Sequence, residues 1–127
     1  MSQENKIQNL YFKEVTSKLE KIDRLNEFSN EYNNGQLYTL HPYDLEPDYA
    51  RTFDLMADEK RIGTIRSLRW INGLYSKKLN LWSAADSFVK PAYRGQGFQK
   101  MMIEYLIQNK LCHVTFLENR RFKNNKK

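Results

Sequence analysis

Cysteine, proline and glycine are all scarce in this sequence. Its 127 residues include one Cys, three Pro and five Gly. A single cysteine, Cys112, excludes an intramolecular disulfide framework and a cysteine-rich zinc site, and it is typical of a reducing compartment. Since no segment rich in Pro or Gly divides the chain, the sequence predicts a single domain over residues 1–127.

Long apolar runs are missing as well. The first ten residues are polar and lack the apolar segment of a signal peptide. No apolar run approaches the roughly 20 residues that a membrane-spanning helix needs. These absences predict a cytoplasmic protein with no membrane partner and no bound metal. Hydrophobic residues make up 40% of the chain and aromatic residues 13%, which is enough for a folded core.

Charge is distributed unevenly along the chain. Its formal net charge is +6, which alone would favour binding to a polyanion. Residues 1–59, however, carry a net charge of −6, and residues 60–127 carry +12. Five of the basic residues lie within residues 119–127. The sequence therefore excludes a uniform basic coat.

The first third of the chain contains a strand signal and a helix signal. A short strand is predicted over residues 10–15. Ser17 with Glu20 has the form of a capping box, and apolar residues then recur at helical spacing up to Phe28. A helix is therefore predicted over residues 17–32, and the stretch from 37 to 49 is predicted to be a loop or a short helical turn because it contains two prolines.

Strand patterns alternate with one clear helix in the rest of the chain. A hairpin is predicted over residues 52–57 and 61–70, and another strand over residues 79–89. From Gly97 onward, apolar residues at i, i+3, i+4, i+7 and i+8 predict an amphipathic helix. A final strand is predicted over residues 113–117, and residues 1–9 and 119–127 are predicted to be flexible. This order indicates an α/β or α+β fold.

The most informative segment is residues 89–100, which reads VKPAYRGQGFQK. A strand is predicted to end at Val89, and Pro91 prevents further pairing. Two glycines, Gly95 and Gly97, then let backbone N–H groups converge at the start of a helix beside Arg94. Such a helix start binds pyrophosphate-like anions. An ordinary strand-to-helix turn is the alternative that spacing alone leaves open.

The motif Val-x-Pro-x-Tyr-Arg-Gly-x-Gly resembles the acetyl-CoA-binding signature of the GNAT N-acetyltransferase superfamily. The resemblance extends over about residues 50–119. It implies a mostly antiparallel mixed sheet flanked by helices, here without the usual last helix and strands. Arg94 and Gly97 match the first and fourth positions of the signature. The sixth position, usually Gly or Ala, is Gln99.

The resemblance also implies an acetyl-CoA cosubstrate and the residues that would bind it. The end of the fourth strand would bind the pantetheine arm through backbone groups, the turn and helix start would bind the pyrophosphate, and an Asn after the fifth strand would complete the site. The positions concerned are Ser87, Phe88, Val89, Arg94, Gly95, Gln96, Gly97, Phe98, Gln99, Lys100 and Asn119.

Candidates for catalysis are fewer. Asp86, three residues before Val89, is the candidate general base, although a capping or solvent-facing role is an alternative. His41 and Tyr43 are candidates for the acceptor site, because the resemblance places their region on that side. The Tyr that commonly protonates the leaving thiolate in the family has no counterpart, since Lys126 stands at its position.

The acidic stretch over residues 31–59 bears on the acceptor. It contains seven carboxylates and one Arg, which favours a cationic amine such as a lysine, an N-terminus or a small amine. A solvated acidic face is the alternative. The sequence also leaves open a catalytically inactive binding protein and a basic nucleic-acid-binding protein. A strand at 113–117 would be an exposed edge, so a homodimer that covers it is a further prediction.

Overall fold

The structure is a computed structural model, and it describes residues 7–32, 42–69 and 80–113. These residues form four strands and two α-helices, joined in part by two short 3-10 turns. In chain order the elements are β1 (Leu10–Val15), α1 (Lys18–Tyr32), a 3-10 turn (Pro42–Leu45), β2 (Ala50–Ala57), β3 (Lys60–Arg69), β4 (Trp82–Val89), a 3-10 turn (Pro91–Tyr93) and α2 (Phe98–Gln108).

The strands form one antiparallel sheet with the order β1-β2-β3-β4. Its pairing shifts by one residue at two places, where Ile62 in β3 and Ala85 in β4 have no direct partner. Such irregularities bend a strand and change the direction in which its side chains point. The second one lies two residues before Ser87, so it sets the face on which the end of β4 presents its side chains. The predicted α+β class, with its mostly antiparallel sheet and flanking helices, is confirmed.

The β2–β3 hairpin turns at Asp58 and Glu59, as the sequence predicts. Both residues have positive φ, 51° and 73°, and two left-handed residues in a row match the twist of the flanking strands. The Asp58 carboxylate accepts hydrogen bonds from the backbone N–H groups of Gln8 and Asn9 at 2.8–3.1 Å. The turn therefore fixes the segment that leads into β1.

Helix α2 covers one face of the sheet with an apolar stripe. Phe98, Met102 and Leu106 are buried at i, i+4 and i+8, as the periodicity predicts. They belong to a core cluster that includes Phe53, Leu55 and other residues from β2, β3 and β4. Further along the sheet, Tyr105 stacks on Phe12 of β1, and the two ring centroids are 3.9 Å apart. The main core of the described residues therefore lies between α2 and the sheet.

Helix α1 covers the other face, and charged pairs supplement its apolar contacts. Ser17 caps the helix by accepting a hydrogen bond from the Glu20 N–H at 3.3 Å. Leu25 and Phe28 are buried, whereas Leu19, which the spacing places among the apolar positions, is 80% exposed. Ion pairs between α1 and the sheet therefore take the place of some of the apolar contacts that the spacing predicts.

The central ion pair joins Arg24 of α1 to Asp54 of β2. The guanidinium donates two hydrogen bonds to the carboxylate, at 3.0 and 2.8 Å, and the Thr64 hydroxyl donates a third at 2.7 Å. The hydrogen bonding of Arg24 to Asp54 raises the pKa of Arg24, against the opposing effect of burial. Beside this pair, Arg61 of β3 binds the Glu27 carboxylate at 2.7 and 2.8 Å.

After α2 the chain returns to the start of β4. The His113 N–H donates to the carbonyl oxygen of Trp82 at 2.7 Å, and the Trp82 N–H donates to His113 Nδ1 at 3.0 Å. The rest of the strand predicted over residues 113–117, and the tail after it, lie outside the described residues. Among the described helices, none is long and apolar enough to cross a membrane.

Candidate functional site

A cleft of about 470 Å³ opens where the end of β4 meets the start of α2. The C-terminal part of α1 contributes its opposite side through Glu31. Eight of the predicted cofactor-binding residues line this cleft. Residues that were predicted from the sequence therefore lie around one cavity. The lining residues are Glu31, Ser87, Val89, Tyr93, Arg94, Gly95, Gly97, Phe98, Gln99 and Lys100.

Two glycines shape the turn between the 3-10 turn and α2. Gly95 and Gly97 have φ values of 79° and 87°, a conformation that L side chains rarely adopt. A Cβ placed on either residue would have no heavy atom within 4 Å. The space beside both glycines is therefore open, and both face the cleft. A ligand can approach the backbone closely at these two positions.

The start of α2 supplies hydrogen-bond donors to the same space. The first intrahelical bond runs from the Met101 N–H to the Gly97 carbonyl. The N–H groups of Phe98, Gln99 and Lys100 precede it and have no acceptor within the helix. Together with the helix dipole, these N–H groups carry partial positive charge. The arrangement fits a phosphate or pyrophosphate group, as the sequence motif predicts.

Arg94 is the first residue of the turn, and its guanidinium has two hydrogen-bond partners. Its Nε donates to the carbonyl oxygen of Val89 at 2.6 Å, and its NH2 group lies 3.3 Å from the Glu31 carboxylate. The guanidinium carbon also lies 5.3 Å from the centroid of the Phe88 ring. Since 43% of the side chain is exposed, the cation remains accessible to a ligand.

Gln99, the residue that departs from the family signature, bridges two walls of the cleft. Its Nε2 donates to the Ser87 hydroxyl oxygen at 2.9 Å. Gln99 belongs to the first turn of α2 and Ser87 to β4, so the bond ties the helix start to the strand. Ser87 is only 5% exposed, whereas Gln99 is exposed. The side chain at this signature position is therefore part of the cleft.

Asp86 lies beside Ser87 but is held in an ion pair. Arg66 of β3 donates to the Asp86 carboxylate at 2.6 Å and to the Asp44 carboxylate at 2.5 Å. The Arg66 side chain is 7% exposed, and its Nε is a buried donor without a partner among the described residues. One oxygen of the Asp86 carboxylate, Oδ2, is thus bonded to a guanidinium, and the general-base role of Asp86 stays a prediction.

The acidic stretch over residues 31–59 does not form a free wall. Four of its seven carboxylates have partners within the described residues, namely Glu31, Asp44, Asp54 and Asp58. The other three, Glu46, Asp48 and Glu59, are exposed. An electrostatic attraction for a cationic acceptor therefore depends mainly on these three residues.

Some predicted site residues are absent from the lining of the cleft, and others lie outside the described residues. Phe88 and Gln96 belong to the predicted set but are not among the lining residues. His41 and Asn119 lie outside the described residues, and so does the side chain of Tyr43. Their assigned roles stay predictions.

Sequence reasoning missed two contributors to this region. Glu31 reaches the cleft from a helix 63 residues before Arg94, and no local pattern indicates that contact. Arg66 is the second: it joins the Pro42–Leu45 turn to β4, but the sequence shows it only as one of several basic residues in the second half. The available signal was that Arg66 is a charged residue, on the side that faces α1, in the mostly buried strand β3.

Comparisons with known proteins identify the fold. Neither protein-family models nor curated protein sequences match the chain. Among solved structures, an aminoglycoside acetyltransferase, HMB0005, from an uncultured soil metagenomic sample superimposes with a TM-score of 0.59 at 16% identity, covering 86% of this chain and 78% of that one. A ribosomal-protein-alanine N-acetyltransferase from Brucella melitensis biovar Abortus 2308 gives 0.57 at 14%, covering 80% and 72%.

A third similar structure is that of a predicted acetyltransferase from Clostridium acetobutylicum, determined with acetyl-CoA. Its TM-score is 0.55 at 12% identity, and the match covers 84% of this chain and 79% of that one. The chain therefore shares its fold with known and predicted acetyltransferases. This is the fold that the resemblance of residues 89–100 to the GNAT signature implies.

Proposed function

We propose that this chain is an acetyl-CoA-dependent N-acetyltransferase that transfers an acetyl group to a primary amine. The observation that carries the proposal is the junction at residues 89–100. There a strand end, two open glycines, a helix N-terminus and an arginine line one cleft. This combination fits a long ligand with a diphosphate, and the fold is shared with acetyltransferases.

The residues that line the cleft form two groups, one for each part of such a ligand. Arg94, Gly95, Gly97 and the first N–H groups of α2 would hold the diphosphate, because they provide donors and positive charge. The end of β4, from Ser87 to Val89, would lie beside the arm that carries the acyl group. Acetyl-CoA supplies an acetyl thioester to this site. A backbone N–H at the end of β4 would stabilise negative charge on the thioester oxygen.

Transfer also needs a neutral amine. An amine with a pKa of about 10.4 is uncharged in only about one molecule in 2,500 at pH 7, a cost of roughly 4.6 kcal/mol. Desolvation, a general base or a chain of water molecules offsets that cost. The ion pair of Asp86 with Arg66 disfavours a direct base role, so in this proposal Asp86 fixes the Pro42–Leu45 turn against β4.

The acceptor in this proposal is a cationic amine, such as a protein lysine, an N-terminus or a small amine. The support is that three carboxylates of the acidic stretch, Glu46, Asp48 and Glu59, are exposed, since such charges raise the local concentration of cations. Rates on matched cationic and neutral amines, each measured at low and high salt, test it. A preference for the cationic amine that weakens with salt is expected, and equal rates that ignore salt would refute it.

Calorimetric titration with acetyl-CoA tests the binding half of the proposal. We expect micromolar affinity, and we expect Arg94→Ala and Gly97→Glu to abolish it while the variants keep their folded spectra. Turnover on a panel of amines then tests catalysis. Absence of binding by the wild-type protein would refute the proposal.

A binding protein without catalysis is the second candidate. One observation favours it: the Asp86 carboxylate is bonded to Arg66. Micromolar binding of acetyl-CoA without turnover on any amine of the panel would select this candidate. Nucleic-acid binding gains no specific support from the described part of the chain.

A further inference from the structure

The Gln99–Ser87 contact places a side-chain amide across the cleft. Residues in the first turn of a helix direct their side chains back toward its N-terminus, which here is the side facing β4. The Gln99 Nε2 reaches the Ser87 hydroxyl oxygen at 2.9 Å. Gln99 is exposed along the cleft. A long side chain at an exposed position is thus held in one orientation instead of sampling solvent.

The hydrogen-bonding capacity of the carboxamide is only partly used. A Gln side chain carries two N–H donors and a carbonyl oxygen. Ser87 takes one donor, and the other N–H and the carbonyl oxygen have no partner within the described residues, at a residue that lines the cleft. A donor and an acceptor side by side complement the N–H and C=O groups of a ligand amide. This donor–acceptor pair matches a phosphate less well. A phosphate offers only hydrogen-bond acceptors, and the carboxamide oxygen, itself an acceptor, cannot bond to them.

The position of the contact along β4 also separates it from the anion-binding turn. Ser87 lies two residues before the strand end, whereas Gly95, Gly97 and Arg94 lie beyond it. At the strand end itself, the Val89 carbonyl already accepts the Arg94 guanidinium. The carboxamide is therefore bonded to β4 at a residue that precedes both Val89 and the anion-binding turn.

We propose that Gln99 is a specificity-determining residue that binds an amide of the pantetheine arm of acetyl-CoA. Ser87 is the positioning residue that orients the Gln99 side chain. The inference rests on the proposed function, in which acetyl-CoA lies along this cleft. It assigns to Gln99 a contact with the arm and not with the diphosphate. The ligands that separate the two are acetyl-CoA, which has both parts, and ADP, which has the diphosphate without the arm.

The test compares the dissociation constants of the two ligands by calorimetry. Gln99→Ala should weaken acetyl-CoA about three- to tenfold, the range of one neutral hydrogen bond, and leave ADP within about twofold. Gln108→Ala is the matched control, because it removes the same side chain from the exposed far end of α2. It should change neither constant. Thermal unfolding confirms that the variants are folded.

The positioning role of Ser87 has its own readout. Ser87→Ala should reproduce part of the acetyl-CoA loss, and the double variant should lose no more than Gln99→Ala alone, because the two residues act as one unit. Additive losses would overturn the role of Ser87.

Three results would overturn the role of Gln99. The first is an equal loss of affinity for ADP in Gln99→Ala, which would assign the Gln99 side chain to the phosphates. The second is tighter binding of acetyl-CoA by Gln99→Ala, which would show that the side chain obstructs the cleft. The third is an affinity for acetyl-CoA that does not change. Failure of the proposed function looks different, since the wild-type protein would then bind neither ligand.

Discussion

Glu31 and Arg94 lie on opposite sides of the cleft and are 3.3 Å apart, although 63 residues separate them in the sequence. The carboxylate belongs to the last part of α1, and the guanidinium belongs to the turn that precedes α2. Helix α1 therefore competes for the cation that a phosphate of the ligand would use. In the proposed function, ligand binding at this turn would exchange one anionic partner of Arg94 for another.

Removing the competing carboxylate should strengthen ligand binding. The two side chains are 43% and 34% exposed, and exposed pairs contribute about 0.2–1 kcal/mol. We therefore expect Glu31→Gln to bind acetyl-CoA roughly 1.4- to 5-fold more tightly, because that is the range which those free energies give. Calorimetric titration at low salt measures it.

The control for this change is Glu104→Gln, which alters the net charge by the same amount at an exposed position of α2. It should leave the dissociation constant within measurement error. If both variants strengthened binding equally, the gain would come from net charge, and the specific competition for Arg94 would be disproved.

Gly97 offers a way to separate backbone strain from ligand contact. With φ at 87° and open space beside it, an added Cβ strains the backbone by roughly 1–2 kcal/mol without a clash inside the protein. Gly97→Ala should lower the melting temperature by about 3–8 °C and weaken acetyl-CoA binding more than tenfold, since the methyl group projects into the cleft. Scanning calorimetry and titration measure the two effects.

Gly97→Asn completes the comparison. Asparagine tolerates the left-handed conformation better than alanine does, so it should restore part of the lost stability. Its larger side chain still occupies the cleft, so binding should stay weak. Recovery of both properties together would show that strain alone, and not contact with the ligand, explains the effect of Gly97→Ala.

The turn at residues 94–97 was predictable because its determinants are consecutive. A strand end, two glycines and the start of a helical apolar pattern lie within twelve residues, and the backbone geometry follows from them. The hairpin turn at Asp58 and Glu59 was predictable for the same reason. Local sequence thus determined the part of the candidate site that depends on backbone N–H groups.

The charged interface beneath α1 was not predictable in this way. Arg24 and Asp54 are 30 residues apart, and the sequence offers each of them many other residues of opposite charge. In a helical pattern, Arg24 belongs to the polar positions that normally face solvent. The sequence also showed an acidic stretch, but not that Asp44 and Asp54 are already paired. Tertiary packing alone decides which charges are neutralised.

The pair of Arg24 and Asp54 should be important for stability. Its side chains are 12% and 6% exposed, and removing one partner of a buried pair costs about 3–5 kcal/mol because the other charge stays buried. Asp54→Ala should therefore lower the free energy of unfolding by that amount, as measured by urea denaturation. Glu14→Ala breaks the more exposed pair with Arg51 on the same sheet, and it should cost about 1 kcal/mol or less. Similar costs for the two variants would contradict the assignment of a buried pair.

Gly63 connects the packing of α2 to the end of β4. A Cβ at this position would lie 3.0 Å from the carbonyl oxygen of Phe88 and 3.3 Å from the Met102 sulfur. The Met side chain can move, but the carbonyl belongs to a paired strand whose next residue, Val89, lies directly opposite Gly63. Relief of the contact therefore has to displace the end of β4, beside the cleft.

Gly63→Ala should consequently affect both stability and binding. Overpacking of this kind costs about 1–3 kcal/mol, so the urea midpoint should fall, and acetyl-CoA should bind more weakly because the strand end has moved relative to α2. Amide chemical shifts of Ser87 to Val89 should change in the variant before any ligand is added. A variant that lost stability but kept the wild-type shifts and affinity would show that Met102, and not β4, yields to the added methyl group.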